Sequence, residues 1–360
     1  MIIIACEMAE LSIKLKKPFI TALRRVECVN DIIIKIHTDT GLVGYGEACA
    51  VTAITGVTNK KVMQELQYIV FPFLLQQNIN TKILFTNLYA LDVSTETKAC
   101  VDIALHDLLS KRMNKSLHAY LGPHSSRLQT DLTISVNEPE QMKKDTAEAL
   151  SQGFNILKIK LDKDINKNIQ RLEAINSLLS SEHTLRLDPN QSLDLKACLF
   201  MLESINIHNI ECIEQPFDAK DITSMKALKD KALVPVLADE SIFDARDAKK
   251  LLKDEAADML NIKLMKCGGI YEATAIAKLA KQYSKDCMIG SMLEGPISLL
   301  AAAHFGLSQD NISMADLDSP LYLENHPLLV PFHLDKDYIH LNNEPGLGID
   351  TIMKELKLFT

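Results

Sequence analysis

The sequence predicts an α/β chain in which a closed barrel of parallel strands follows a smaller α+β domain. Three observations carry this. From residue 131 onward, short apolar runs alternate with amphipathic helical stretches, the pattern of a parallel sheet. The runs end in polar residues, and Thr133, Lys160, Asp188, Glu214, Asp239, Lys263, Ser291 and Asp316 follow one another at intervals of 24 to 28 residues. That is one strand–helix unit apiece, and eight units suit a barrel with its site at the C-terminal strand ends. An open doubly wound sheet is the alternative, but it does not usually place polar strand ends from all eight units around one pocket. Thirdly, the first 120 or so residues have no such beat and read as strands followed by helices.

In chain order, "IIIKIHTDTGLVGYGEA" reads as a hairpin with Thr40-Gly41 at its turn, and helical patterns continue through "TKACVDIALHDLLSKRM". The eight barrel runs are "TDLTISVN", "FNILKIKLD", "HTLRLDPN", "IECIEQPF", "VPVLADES", "MLNIKLMKCGG", "DCMIGSMLE" and "ISMADLDSP". Stretches such as "EPEQMKKDTAEALSQG" and "NKNIQRLEAINSLLS" supply the helices between them. After Pro331, "FHLDKDYIHLNNEPGLGI" reads as short strands around a turn, expected to pack back on the first domain and make it discontinuous.

Composition narrows the function. A net charge of −8, no Trp and no basic aromatic stripe argue against nucleic acid as a partner. The eight Cys are scattered without a C-x-x-C pair, against both a thiolate zinc site and a disulfide framework. A reduced, cytoplasmic protein is expected. The opening "MIIIACEMAE" is too short an apolar run for a signal peptide, and no run reaches the roughly 18 residues of a membrane span.

Within the barrel runs, Asp188, Glu214 and Asp239 end three successive strands. Neighbouring strands lie about 4.8 Å apart, so three carboxylates could converge on one cation. An all-oxygen set suits Mg²⁺. Any one of them alone suits a helix N-cap; three in register on adjacent strands favour the cation. Lys158 and Lys160 lie two apart on the strand before, so both face the same side, and Lys263 lies on the strand after. A salt bridge from Lys263 to Asp239, and counter-charge from Lys158 and Lys160 to the acids, are the simpler readings. Neither explains lysines on both sides of the acids. Like charges side by side, with a divalent cation near, disfavour an ammonium and lower its pKa, which makes a lysine basic near neutral pH.

The pieces "KIK" (Lys158, Lys160), "DPN" (Asp188), "EQP" (Glu214), "DES" (Asp239) and "NIK" (Lys263), with "GYGEA" and "PGLGI", resemble the muconate-lactonizing subgroup of the enolase superfamily over nearly the whole chain. The resemblance implies a (β/α)₇β barrel at residues 123–325, carrying metal and catalysis. It implies an α+β capping domain at residues 1–122 plus 326–360, governing specificity. It further implies one Mg²⁺ per site, held by Asp188, Glu214 and Asp239. Lys160 and Lys263 would act as bases on opposite faces of a substrate proton next to a carboxylate, with Lys158 supporting Lys160 and the enediolate.

Within the subgroup, "ADLDSP" and "KPFITALRR" resemble the dipeptide epimerases, particularly those acting on L-alanyl-D/L-glutamate. Asp316 and Asp318 share a strand face and suit a substrate's free ammonium; an Asp-Ser-Pro turn is the plainer reading. Arg24 falls where the family meets a glutamate side chain, a task for a bidentate fork. Thr133 falls at a substrate-contacting position. "DPNQSL" departs from many relatives, which have Ala after the Asp; Pro189 stiffens that turn without removing a ligand. An N-acylamino acid racemase or a cycloisomerase is the alternative within the superfamily, and neither needs Asp316 and Asp318. A non-catalytic metal-binding relative, which would tolerate loss of a lysine, is the alternative outside catalysis. A small dipeptide substrate, no membrane and a homo-oligomer complete the expectation.

Overall fold

The computed structural model describes residues 1–79, 82–122, 125, 127–231, 233–324 and 332–349. The first sheet joins β1 (Ile3–Ile20), β2 (Arg25–Thr38) and β3 (Val43–Cys49), all antiparallel. Along β1, Leu11, Ile13 and Leu15 are buried while Lys14 and Lys16 are exposed, the period of two that a one-sided sheet demands. The turn between β2 and β3 falls at Thr40-Gly41, where Gly41 takes a φ of 81° that favours glycine.

The helix Thr95–Arg112 lies flat on this sheet. Gly44 and Gly46 of "GYGEA" permit the approach: a Cβ on Gly46 would stand 1.9 Å from the Cys100 carbonyl oxygen. The helix is buried over most of its length, so its acids need partners. Asp107 accepts the N–H groups of Tyr45 (3.0 Å) and Leu347 (2.8 Å) and pairs with Lys111 (2.6 Å).

After β4 (Leu128–Gln129), eight parallel strands follow: β5 (Leu132–Ile134), β6 (Ile156–Lys160), β7 (Thr184–Asp188), β8 (Ile210–Glu214), β9 (Val236–Ala238), β10 (Met259–Lys263), β11 (Cys287–Gly290) and β12 (Ile312–Asp316). Their order in the sheet is their order in the chain, with helices in the seven intervals between them. A parallel bridge from Thr130 to Ala315 brings the two edges together and closes the barrel. Each of the eight predicted polar residues stands at the end of its strand or within one residue of it. β13 (Phe332–Asp335) and β14 (Tyr338–Leu341) form the C-terminal hairpin, and β14 pairs with β4. Asp337 at its turn accepts the Thr130 N–H (2.8 Å) beside the start of β5, and Gly346 accepts the Leu117 N–H (2.7 Å) beyond the helix Thr95–Arg112.

The first domain grips the barrel mouth through acids set on helix N-termini, whose N–H groups lack partners within the helix. Asp31 accepts the Gly295 N–H (2.7 Å), and Glu47 accepts those of Ile297 (2.7 Å) and Ser298 (2.9 Å) on the helix Pro296–Ser308. Asp102 accepts the Ile270 N–H (2.6 Å) at the start of Ile270–Gln282. Gly269 and Gly295 make room: a Cβ on either would fall within 2.5 Å of the Asp102 or Glu47 carboxylate.

At the same junction His304 stacks on His118, their Nδ1 atoms 2.9 Å apart. Burial and the neighbouring His118 push His304 down to about 3, from about 6.5 unfolded. A depressed folded pKa means that the unfolded chain binds the proton more readily. Stability from this group is therefore complete above about pH 6.5 and falls on acidification by about 1.4 kcal/mol per pH unit. His304→Gln is expected to flatten the dependence of Tm on pH below 6.5, relative to wild type. The comparison separates His304 from Glu47 and Glu294, which burial pushes up to about 7 and which act in the opposite sense. Equal slopes in the two proteins would remove His304 from the acid response. Among the described residues, no helix is long and apolar enough to cross a membrane.

Candidate active site

Because side chains alternate along β6, Leu157 and Ile159 enter the apolar layer while Lys158 and Lys160 are buried among the acids of the barrel mouth. Lys158 is the deeper, with Nζ 2.7 Å from Asp316 Oδ2, 2.7 Å from Glu214 Oε2 and 3.0 Å from Asp188 Oδ2. Lys160 reaches Asp188 Oδ2 at 2.5 Å. From β10, Lys263 meets Asp239 Oδ2 at 2.7 Å and lies 4.0 Å from Glu214 Oε1. The counter-charge contacts that sequence alone allows are thus present. The helix-cap reading is not: Asp194, Asp221 and Asp244 take the first-turn N–H groups of the helices after β7, β8 and β9.

Electrostatics follow from this packing. Burial raises every carboxylate here, but Lys160 and Lys158 hold Asp188 below its ordinary range, and Lys263 and Lys266 do the same for Asp239. Glu214 stays above its usual value because burial outweighs Lys158. Burial pushes Lys158 down, but Asp316, Glu214 and Asp188 together raise it well above an ordinary lysine. Three carboxylates at bonding distance keep it as the ammonium.

A cavity of about 50 Å³ opens over these groups. Phe19 near the end of β1, and Thr21, Leu23 and Arg24 from the turn between β1 and β2, line it from the cap side, and Ile54 flanks it. Thr133, Lys160, Asp239, Lys263, Asp316 and Asp318 line it from the strand ends. Arg24 is half-buried at this wall, whereas Arg25 is exposed and pairs with Glu27 at 3.1 Å. Asp318 starts the short helix Ser319–Tyr322 without capping it through its side chain; it accepts the Thr133 N–H at 2.6 Å instead. Lys158 holds Asp316 down to about 2 against burial, while burial and Asp316 push Asp318 up to about 6.

Several residues here escaped the sequence reading. Lys266, three residues after Lys263 in "NIKLMKCGG", is buried and pairs with Asp239; nothing local to that stretch tells it from an exposed lysine. Asn261 donates to Glu214 Oε1 at 2.8 Å. Gln215 of "EQP" accepts the N–H groups of Asp239 (2.9 Å) and Ser241 (3.2 Å), fixing the loop that carries Asp239. Arg186, inside the barrel below Asp188, pairs with Asp131 (2.8 Å) and Glu211 (2.6 Å). After Pro189, Asn190 takes a φ of 44°, which Asn tolerates better than most residues.

Two sets of oxygens here could meet a cation. Asp131, Asp316 and Asp318 each bring a carboxylate oxygen within 4.8 Å of the others, but Asp131 is committed to Arg186. Around Asp188, Glu214 and Asp239, the buried oxygens Asn190 Oδ1 and Glu240 Oε2 have no hydrogen-bond partner among the described residues. Burial, Asp239 and Asp188 push Glu240 up to about 8. Unpaired oxygens beside ionised carboxylates, with no nitrogen or sulfur ligand, fit a hard divalent cation.

A lid-covered, acid- and lysine-lined mouth on a (β/α)₇β barrel defines a class, and the sequence matches it. Residues 3–122 match the mandelate racemase/muconate lactonizing enzyme N-terminal domain, and residues 141–355 match the enolase C-terminal domain-like family. The chain belongs to this branch of the enolase superfamily. Among individual relatives, it is 38% identical to the L-Ala-D/L-Glu epimerase of Clostridium acetobutylicum, over 98% of this chain and 99% of that one. It superposes with a TM-score of 0.94 on a substrate-liganded L-Ala-D/L-Glu epimerase from Bacillus subtilis, at 35% identity, covering 97% and 99% of the two chains. A dipeptide epimerase from Enterococcus faecalis, complexed with Mg and L-Leu-L-Tyr, gives 0.93 at 33% identity, covering 98% and 100%.

Proposed function

We propose that this chain is a Mg²⁺-dependent dipeptide epimerase, acting best on L-alanyl-D/L-glutamate in the cytoplasmic use of cell-wall peptides. One observation carries the reading: Lys160 and Lys263 line a single cavity from strands on opposite sides of Asp188, Glu214 and Asp239. Those three acids are the ligands we assign to the metal. When bound, Mg²⁺ supplies charge stabilisation for the substrate carboxylate as its α-proton leaves. One lysine, as the neutral amine, takes that proton onto Nζ; the other, as the ammonium, returns a proton to the opposite face. Lys158 supplies fixed positive charge beneath the enediolate. Thr133 contacts the substrate backbone, and residues 1–122 form the cap over the barrel mouth; β13 and β14 lie instead beside the strand starts, against β4 and Asn155, and residues 326–331 and 350–360 of the expected cap lie outside the described residues.

Asp316 and Asp318 separate this reading from an N-acylamino acid racemase, because both face the cavity and both suit a free ammonium. The decisive assay incubates dipeptide libraries with the protein and Mg²⁺ in D₂O and reads deuterium uptake by mass spectrometry. Uptake at the α-carbon of the C-terminal residue is expected, with N-acetylation costing about tenfold to a hundredfold in kcat/KM. Acetylated dipeptides reacting as well as free ones would make the racemase the better reading.

Arg24 is assigned to the γ-carboxylate of glutamate. Wild type is expected to prefer L-alanyl-L-glutamate to L-alanyl-L-glutamine by about tenfold or more. Arg24→Met keeps much of the stem but removes the fork, so it should erase the preference and spare apolar dipeptides. Measuring kcat/KM for both dipeptides in both proteins checks this. A preference that survives moves the assignment elsewhere, and Arg25 is the first alternative.

A further inference from the structure

Asp318 is held from behind by a residue that does not border the cavity. Its Oδ2 accepts the Thr133 N–H at 2.6 Å and the Tyr322 hydroxyl at 2.9 Å. That hydroxyl also lies 2.7 Å from the Thr133 carbonyl oxygen. One phenolic proton serves one acceptor at a time, and an ionised carboxylate is the stronger. The Tyr322 ring is itself fixed, edge-on to Phe19 with centroids 5.5 Å apart. Phe19 and Asp318 line the small cavity, whereas Tyr322 lines a separate space of about 440 Å³ between β1 and the helix Pro139–Ser151.

We propose that Tyr322 is a positioning residue: its hydroxyl anchors Asp318 Oδ2 so that Oδ1 is turned toward the ammonium of a dipeptide substrate. The proposal rests on the epimerase reading. The carboxylate torsion of Asp is broad, so two donors on one oxygen define a direction that one donor leaves loose. The surroundings make the anchor matter. Asp316 faces Asp318 from the end of β12, and Asp131 from the segment before β5; both repel it, and Lys158 is engaged with Asp316. Thr133 and Tyr322 are the donors that offset this repulsion. Without the hydroxyl, Asp318 both swings more freely and holds its proton more tightly.

Tyr322→Phe keeps the ring against Phe19 and removes only the oxygen. The test compares KM and kcat for L-alanyl-L-glutamate with the inhibition constant of N-propanoyl-L-glutamate, which lacks the ammonium and needs no turnover. In the variant, KM should rise about tenfold or more, kcat should change little, and the inhibition constant should stay as in wild type. The acid limb of kcat/KM should move to higher pH, because a carboxylate that loses a donor is harder to ionise. An unchanged Tm shows that folding is intact. Equal losses for dipeptide and analogue, an unaltered KM, or a fixed acid limb each overturn the assignment of Tyr322 while the epimerase reading stands. A wild type that exchanges no dipeptide α-proton overturns the epimerase reading and this assignment with it.

Discussion

Lys160→Ala and Lys263→Ala are each expected to abolish epimerisation, with losses on the order of 10²–10⁴-fold or more for removal of a general acid–base group. The two lysines stand on β6 and β10 with the acids between them, so the proposed scheme gives each lysine one face of the reacting carbon. On the proposed two-base scheme, epimerisation needs both lysines, whereas exchange of the α-proton with solvent needs only one. Each variant should therefore still wash deuterium into one epimer without producing the other, and the two variants should show opposite epimer preferences. Chiral separation of the D₂O product reads both outcomes. Full epimerase activity in either variant would sink the two-base scheme. A variant that neither epimerises nor exchanges would point to a collapsed ion-pair network. Lys158→Met is the informative comparison there, because Lys158 touches three of the acids.

Chelation is expected to remove all measurable activity, and Mg²⁺ to restore it. Asp239→Asn should weaken Mg²⁺ binding by about tenfold to a hundredfold, judged by the cost of losing one charged contact; titration calorimetry reads this without reference to catalysis. Asp239 is the sensitive position because Lys263 and Lys266 both hold it as the carboxylate. The same change frees both lysines from their partner, so thermal unfolding should be followed in parallel. An enzyme indifferent to chelators would exclude this site as the catalytic one. Mg²⁺ affinity lost on Asp131→Asn and kept in Asp239→Asn would move the metal to the acids around Asp316.

Much of the architecture was legible in one dimension. Strand alternation is a property of covalent neighbours, so "FNILKIKLD" places Lys158 and Lys160 on one side without knowledge of any other segment. The interval of 24 to 28 residues is the length of a strand and its return helix. It therefore showed the eight strands, their order and which residues end them. The long first strand, Ile3–Ile20, carries the same alternation in "LSIKLK" and was open to the same reading.

What tertiary structure alone decided is where side chains meet between segments far apart in the chain. Arg186 finds Asp131 and the Ala315 carbonyl across 55 and 129 residues. Nothing local to "HTLRLDPN" distinguishes a buried, paired guanidinium from an exposed one. Arg24 and Arg25 are adjacent and chemically identical; only the fold of the hairpin tip turns one to the cavity and the other to Glu27. The charge of Lys158 is set in the same way. The sequence shows two ammonium groups side by side, but the field at Lys158 is set by Asp316, Glu214 and Asp188, which arrive from three other strands. The residue types and their order determine the strands and the chemistry available at their ends. Strand register and the cap's docking on bare helix N-termini determine which of those groups touch, because contact energies fall off within a few ångströms and a one-residue slip would turn every side chain away.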